Sequence, residues 1–203
     1  METANVVNQA LRAFEEGRLS AARELTRRAL GERPDDPRLE YFMGRIAEHM
    51  GNPADALYHY QRAVAPAPGG AASHAGLGRV HMALGNPGAA EQSYRAALRL
   101  NPSLREACEG LAALYRSQGK PAEALECYRE FMKARPGAIW PYSRLAWSLL
   151  REGKPDQALA AVDRALAIKP DSAPLHCNKA SILSSTGNTQ AAIDCYRTAV
   201  TLA

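Results

Sequence analysis

Trp140, Arg144, Trp147 and Arg151 fall four, three and four residues apart. That spacing puts four side chains on one stripe of one helix. Arginine grips a carboxylate through two parallel N–H bonds or stacks on an aromatic ring. Tryptophan, tyrosine and arginine are also the side chains that most often carry binding energy at interfaces. The chemistry within reach of such a stripe is recognition of an acidic or apolar group, not bond making. A related stripe carries Arg38, Tyr41, Phe42, Arg45, Glu48 and His49.

Residues fit for catalysis do not assemble in this way. A catalytic site needs a nucleophile, base or metal set within reach. The sequence holds no Gly-x-Ser-x-Gly, no His-Glu-x-x-His and no phosphate loop ending in Gly-Lys-Ser/Thr. Gly76-Leu77-Gly78 echoes a nucleotide loop, but it falls mid-helix in the register given below. His74 and His81 are seven residues apart, about 10 Å along a helix axis, too far to share a metal ion. They read as partly packed histidines. His49 and His59 flank a turn, where a metal pair is conceivable but not expected. Cys108, Cys127, Cys177 and Cys195 form no Cys-x-x-Cys pair and read as small hydrophobes within helices. The expectation is a chain that is not an enzyme and takes no cofactor or metal.

The elements that position the stripes follow from an internal repeat. Pro34, Pro68, Pro102, Pro136 and Pro170 are spaced by 34 residues. Gly17, Gly51, Gly85, Gly119, Gly153 and Gly187 keep that period, as do Ala22, Ala56, Ala90, Ala124, Ala158 and Ala192. Three columns with one period predict repeats at 3–36, 37–70, 71–104, 105–138, 139–172 and an incomplete 173–203. Each reads as two helices. The glycine closes the first, for example Ala71 to Leu84, through a left-handed residue. Asn52-Pro53, Asn86-Pro87, Lys120-Pro121 and Lys154-Pro155 then start the second with a cap and a preset first turn. Pro66, Pro68 and Gly69-Gly70 should fray the end of the second helix in repeat two. Small residues at 10, 44, 78, 112, 146 and 180 let paired helices approach. Leu77, Leu111, Leu145, Tyr60, Tyr94, Tyr128 and Tyr196 fill the space between. Ala13, Thr26 and Phe131 depart from their columns and predict local adjustment. No hairpin buries its own apolar face, so stacking supplies the core.

This period, with its Gly/Ala column in the first helix, its Ala column in the second and its closing proline, resembles the tetratricopeptide repeat (TPR). The resemblance covers nearly the whole chain. It implies an all-α, right-handed superhelical solenoid of helix-turn-helix repeats, here a single solenoid over 1–203. It also implies that first helices line a concave face and second helices a convex one. The concave residues are then Arg38, Tyr41, Phe42, Arg45, Arg79, Met82, Arg116, Trp140, Arg144, Trp147 and Arg151. Gly76 and Gly110 lie on the same face outside the small core column, which predicts a groove floored with small side chains. Glu106 and Glu109 make the groove mixed in sign. The family's carboxylate clamp of Lys and Asn is not reproduced, because no Lys accompanies Asn8 and Asn178.

The function expected is a protein-protein interaction scaffold holding a peptide or tail in the concave groove. Its ligand would carry an acidic group near Arg144, Arg151 and Arg116, and an apolar group near Trp147. The alternative is the TPR arm of a larger enzyme, such as a glycosyltransferase or sulfotransferase, presenting substrates to a catalytic domain. Ile193, Tyr196 and Val200 leave an apolar stripe on the last helix, which predicts either a following domain that covers it or stacking on a second copy or a partner. With 25 Lys+Arg against 21 Asp+Glu the net charge is +4, too small to argue for nucleic acid. Arginines on the second helices lack interleaved aromatics to stack bases. No run of eighteen apolar residues predicts a membrane span. Met1 to Arg12 shows no basic start followed by an apolar core, so a cytoplasmic location is expected.

Overall fold

The computed structural model describes residues 2–65 and 70–203. Within them the chain is all-α. Helices pair as hairpins in α1 (Glu2–Glu15) with α2 (Leu19–Glu32), α3 (Pro37–His49) with α4 (Pro53–Val64), α5 (Ala71–Ala83) with α6 (Pro87–Leu100), α9 (Trp140–Arg151) with α10 (Pro155–Ile168), and α11 (Ala173–Ser185) with α12 (Thr189–Thr201); α7 (Arg105–Ser117) and α8 (Pro121–Ala134) lie between α6 and α9 in chain order. Contacts divide it into two compact units, Met1–Leu114 and Tyr115–Ala203.

The glycine column sets the hairpins. Its six members have φ between 70 and 79°, where a side chain would be strained. At each, the following residue donates its N–H back across the helix end. Arg18 N reaches Ala13 O at 2.8 Å and Asn52 N reaches Ala47 O at 2.9 Å. Gly17 N meanwhile reaches Phe14 O at 3.0 Å. This pair of bonds is a Schellman closure, and it satisfies carbonyls the helix leaves open. Prolines then open α4, α6, α8 and α10 in their first turn. Asn52 caps α4 through Asp55 N at 3.2 Å. Asn86 makes no such bond, so the expected side-chain cap fails there. Helices α2, α6, α8 and α10 each end two residues before their column proline. The expected fraying at Pro66, Pro68 and Gly69 lies outside the described residues.

Each unit buries its own core. In the first, Ala10, Ala13, Ala22, Phe42, Met43 and Ile46 pack together, and Ala47, Ala56, Tyr60, Leu77 and Val80 form the next layer. In the second, Leu125, Leu145, Ala146, Leu149, Ala158, Val162 and Ile182 do the same. Thr26 is buried and spends its hydroxyl on Ala22 O at 2.7 Å. Phe131 is buried because it meets the Trp140 ring, with centroids 4.7 Å apart. Tyr60, Tyr94 and Tyr128 are buried as expected, but Tyr196 is 42% exposed. The correction has a simple cause. Tyr60 and Tyr94 are each held between two first helices and Tyr128 meets the Trp140 ring, whereas among the described residues α12 packs on α11.

Candidate functional site

The first unit holds an open groove of about 640 Å³ lined by Tyr41, Arg45, Glu48 and His49 from α3, Arg79 from α5, Tyr94 from α6, and Glu106, Glu109 and Gly110 from α7. Three first helices thus supply nearly the whole wall. The tyrosine reaches it from behind, and glycines make its passage. A Cβ on Gly44 would stand 2.6 Å from the Tyr60 ring, and one on Gly76 would stand 2.6 Å from its other end. Tyr94 is held in the same way between Gly78 and Gly110. The glycines at 76 and 110 are therefore no empty floor. They admit aromatic rings from the second helices, and this corrects the expectation of a groove based on small side chains.

A ladder of charge crosses this surface. Arg79 lies 2.8 Å from Glu48 on one side and 3.1 Å from Glu106 on the other. Tyr60 donates its hydroxyl to Glu48. Burial disfavours charge on Arg79, but the hydrogen bonds and charge of Glu48, with Tyr60 and Glu106, hold its pKa above the ordinary arginine value. Burial also raises the Tyr60 hydroxyl, and the bond to Glu48 raises it further. Tyr94 is pushed up to about 12, chiefly by burial. Tyr41 is raised by burial too. These phenols are neutral donors at physiological pH. Glu109 lies 3.3 Å from Arg105. Arg45 stacks over the Phe14 ring at 5.0 Å, and His49 Nδ1 donates to Arg45 O at 2.9 Å. Counting Arg45 and Arg79 against Glu48, Glu106 and Glu109, the lining carries no excess of positive charge.

The residues singled out from the sequence separate accordingly. Tyr41, Arg45 and Arg79 come together in the groove. Arg38 is exposed at the start of α3, and Met82 is half-buried on α5; neither lines the groove. Phe42 is 7% exposed and packs edge-on to Phe14 at 5.4 Å. It is a core residue, which corrects its place among partner-facing side chains; its column holds Gly76 and Gly110 in the next repeats, and a buried ring cannot meet a ligand.

In the second unit, Arg144, Trp147 and Arg151 are exposed along α9, with Trp147 41% exposed. Trp140 turns away from that stripe. Its ring meets Phe131 and Tyr128, the latter at 6.1 Å, so its place among partner-facing residues is corrected to packing. Arg116 and Arg151 line a separate pocket of about 360 Å³ with Gly119, Pro121, Ser148 and Glu152.

Tyr94 reads from the sequence as a core residue, and its place in the groove lining is an addition by the structure. The signal was present: glycine at both 78 and 110, in columns that face the same tyrosine from successive first helices. Sequence reasoning missed Glu40, which is buried with His59 Nδ1 at 2.7 Å and Arg62 Nε at 2.5 Å. Among the described residues no three His, Cys, Asp or Glu side chains gather as a metal set, and no helix is long and apolar enough to cross a membrane.

Family models of the tetratricopeptide repeat match residues 7–71 and 76–139, residues 115–176 and residues 173–203. No curated protein sequence matches the chain. Among solved structures, a thermophilic TPR protein of Thermus thermophilus is 26% identical with a TM-score of 0.64, over 89% of this chain and 98% of that one. The Pseudomonas aeruginosa pilF structure is 17% identical with a TM-score of 0.75, over 95% and 88% of the two chains. YrrB, described as a TPR protein with an unusual peptide-binding site, is 18% identical with a TM-score of 0.61, over 87% and 91%. At 17 and 18% identity the last two likenesses establish the fold alone.

Proposed function

The chain belongs to the tetratricopeptide repeat family, and from that premise we propose that it is a non-enzymatic scaffold holding an extended peptide or tail of a partner protein against its first helices. The observation that carries this reading is the groove of the first unit. It is open, it is walled by first helices, and it presents Tyr41, Tyr94, Arg45 and Arg79 beside Glu106 and Glu109. Aromatic and arginine side chains held in place by their own partners lose little freedom on binding. YrrB, of the same fold, is described as having a peptide-binding site, and the proposal gives this chain that kind of ligand.

In the second unit the reading assigns the exposed stripe Arg144, Trp147 and Arg151 to the same work. An apolar group lies on Trp147, and an acidic group lies near Arg144, Arg151 and Arg116. A second contact surface is the α12 stripe of Ile193, Tyr196 and Val200, which are 39, 42 and 77% exposed; the reading gives it to a second copy of the chain. Mass measurement in solution tests that part, with a monomer at all concentrations overturning it.

The groove is tested by peptide-library selection. The native chain is compared with a Tyr41→Ala/Arg45→Ala variant and an Arg144→Ala/Trp147→Ala variant, all of equal helicity. Enrichment of related sequences by the native chain, weakened in a variant, supports the reading. Equal enrichment by all three, or by none, overturns it.

A further inference from the structure

Arg116 lies in the last turn of α7, and Arg151 ends α9. Both are exposed, and no ion-pair partner is found for either among the described residues. Yet both line one pocket. In the first unit's groove, by contrast, Arg79 is held by two carboxylates and Arg45 by the Phe14 ring. Two unpaired guanidinium groups on one small concavity repel each other, and an oxyanion between them relieves that repulsion with charge-assisted bonds.

The rest of the wall fits the same ligand. Ser148 lies one turn before Arg151 on α9 and brings a hydroxyl. Gly119 and Pro121 bring the start of α8, where Lys120, a donor-only side chain, adds a positive charge and Glu123 a negative one. Helix N-termini favour negative charge. Glu152 is the one acid in the lining, and Lys154 neutralises it across 2.7 Å. Its second oxygen, Oε1, is buried and takes no hydrogen bond. An unmet buried acceptor is costly, and it calls for an N–H donor beside the anion.

We propose that this pocket is an acidic-residue subsite: it takes a carboxylate or phosphoryl side chain of a bound peptide between Arg116 and Arg151, while an N–H of the same peptide serves Glu152. The proposal rests on the peptide-scaffold reading above and fixes one chemical feature of the ligand. It places the acid at the turn end of the first helices of the second unit. The first unit's groove is left to a neutral or mixed segment, because its central arginine is already paired. The volume of about 360 Å³ accepts one side chain of this size, not a folded surface.

The test is amide NMR of the full chain at fixed ionic strength. Four probes are titrated: a blocked Ala-Ala-Glu-Ala-Ala peptide, its phosphoserine and glutamine counterparts, and inorganic phosphate. The glutamate and phosphoserine peptides are expected to give saturable shifts at Gly119, Ser148 and Glu152. Arg116→Ala or Arg151→Ala should each weaken binding about tenfold, the loss of one charge-assisted bond. Both residues are exposed, so both variants should keep the native spectrum elsewhere. Stronger binding of the phosphoserine peptide than of the glutamate one would identify the phosphoryl group as the source. Equal binding of the glutamine peptide overturns the oxyanion assignment. Binding of inorganic phosphate as tight as that of the phosphoserine peptide overturns the peptide N–H contact. Library peptides that shift Tyr41 and Arg79 while Gly119 and Ser148 stay silent would sink this subsite and leave the scaffold reading standing.

Discussion

Replacing Gly76 by alanine tests the passage of tyrosine rings between first helices. In an ordinary helix interior this change stabilises by about 1 kcal/mol, because glycine loses more backbone freedom on folding. Here the new Cβ would stand 2.6 Å from Cζ and 2.8 Å from both Cε atoms of Tyr60. Carbon atoms in good contact are about 3.5–4.0 Å apart, so the ring must retreat by about 1 Å. It has nowhere to go, since its opposite side lies against the Gly44 backbone. Overpacking of this kind costs about 1–3 kcal/mol, and a fully buried ring held on two sides belongs at the upper end. The expected balance is a net loss of about 2 kcal/mol. Urea unfolding followed by helical circular dichroism reads it. Gly88→Ala is the control: Gly88 lies in α6 with nothing within 4 Å of a new Cβ, and the change should be neutral or stabilising. In a Tyr60→Leu background the Gly76→Ala penalty should largely vanish. If Gly76→Ala raises the midpoint as Gly88→Ala does, the ring is not confined as described and the reasoning fails.

Three further outcomes follow from the same geometry. Glu40→Ala removes the buried carboxylate shared by His59 and Arg62 and should cost about 3 kcal/mol, read as a lower urea midpoint; an unchanged midpoint would show that the cluster contributes nothing. Stability should fall as pH rises from about 10 toward 12. Burial keeps Tyr94 neutral in the fold until about pH 12, while the unfolded chain ionises its tyrosines near 10, so the stabilisation is complete below 10 and lost through the folded value. A midpoint independent of pH up to 12 would contradict this. Finally, in a Trp140→Phe variant Trp147 is the remaining indole, and binding of a selected peptide should shift its emission to the blue; no shift on saturation would remove Trp147 from the site.

Much of this was legible because the repeat writes each position several times. The glycine column named all six left-handed turns, and the 34-residue period placed the hairpins. Of the groove lining, Tyr41, Arg45, Glu48, His49, Arg79, Glu106, Glu109 and Gly110 fall on the stripes read from helical spacing. What escaped was what happens between repeats. Phe42 shares a column with Gly76 and Gly110, yet a column reports register, not depth, and a phenylalanine there closes the core. Tyr94 was legible as a core residue but not as one whose edge emerges in the groove, because that depends on how closely two first helices approach. Trp140 sits at a helix start, where spacing along the stripe says least about direction, and its exit is taken up by Phe131. The pairing of Arg79 with two carboxylates spans 31 and 27 residues, beyond any local pattern.

The central claim is that first helices, not second helices, carry the partner. Photocrosslinking tests it directly. A photoreactive residue replaces Tyr41 or Trp147 on first helices, or Arg28 or Arg164 on second helices, and each protein is irradiated with a peptide obtained by selection on the native chain. The account predicts crosslinks from the first pair and none from the second. Crosslinks from Arg28 or Arg164, with Tyr41 and Trp147 silent, would place the partner on the opposite face and contradict it.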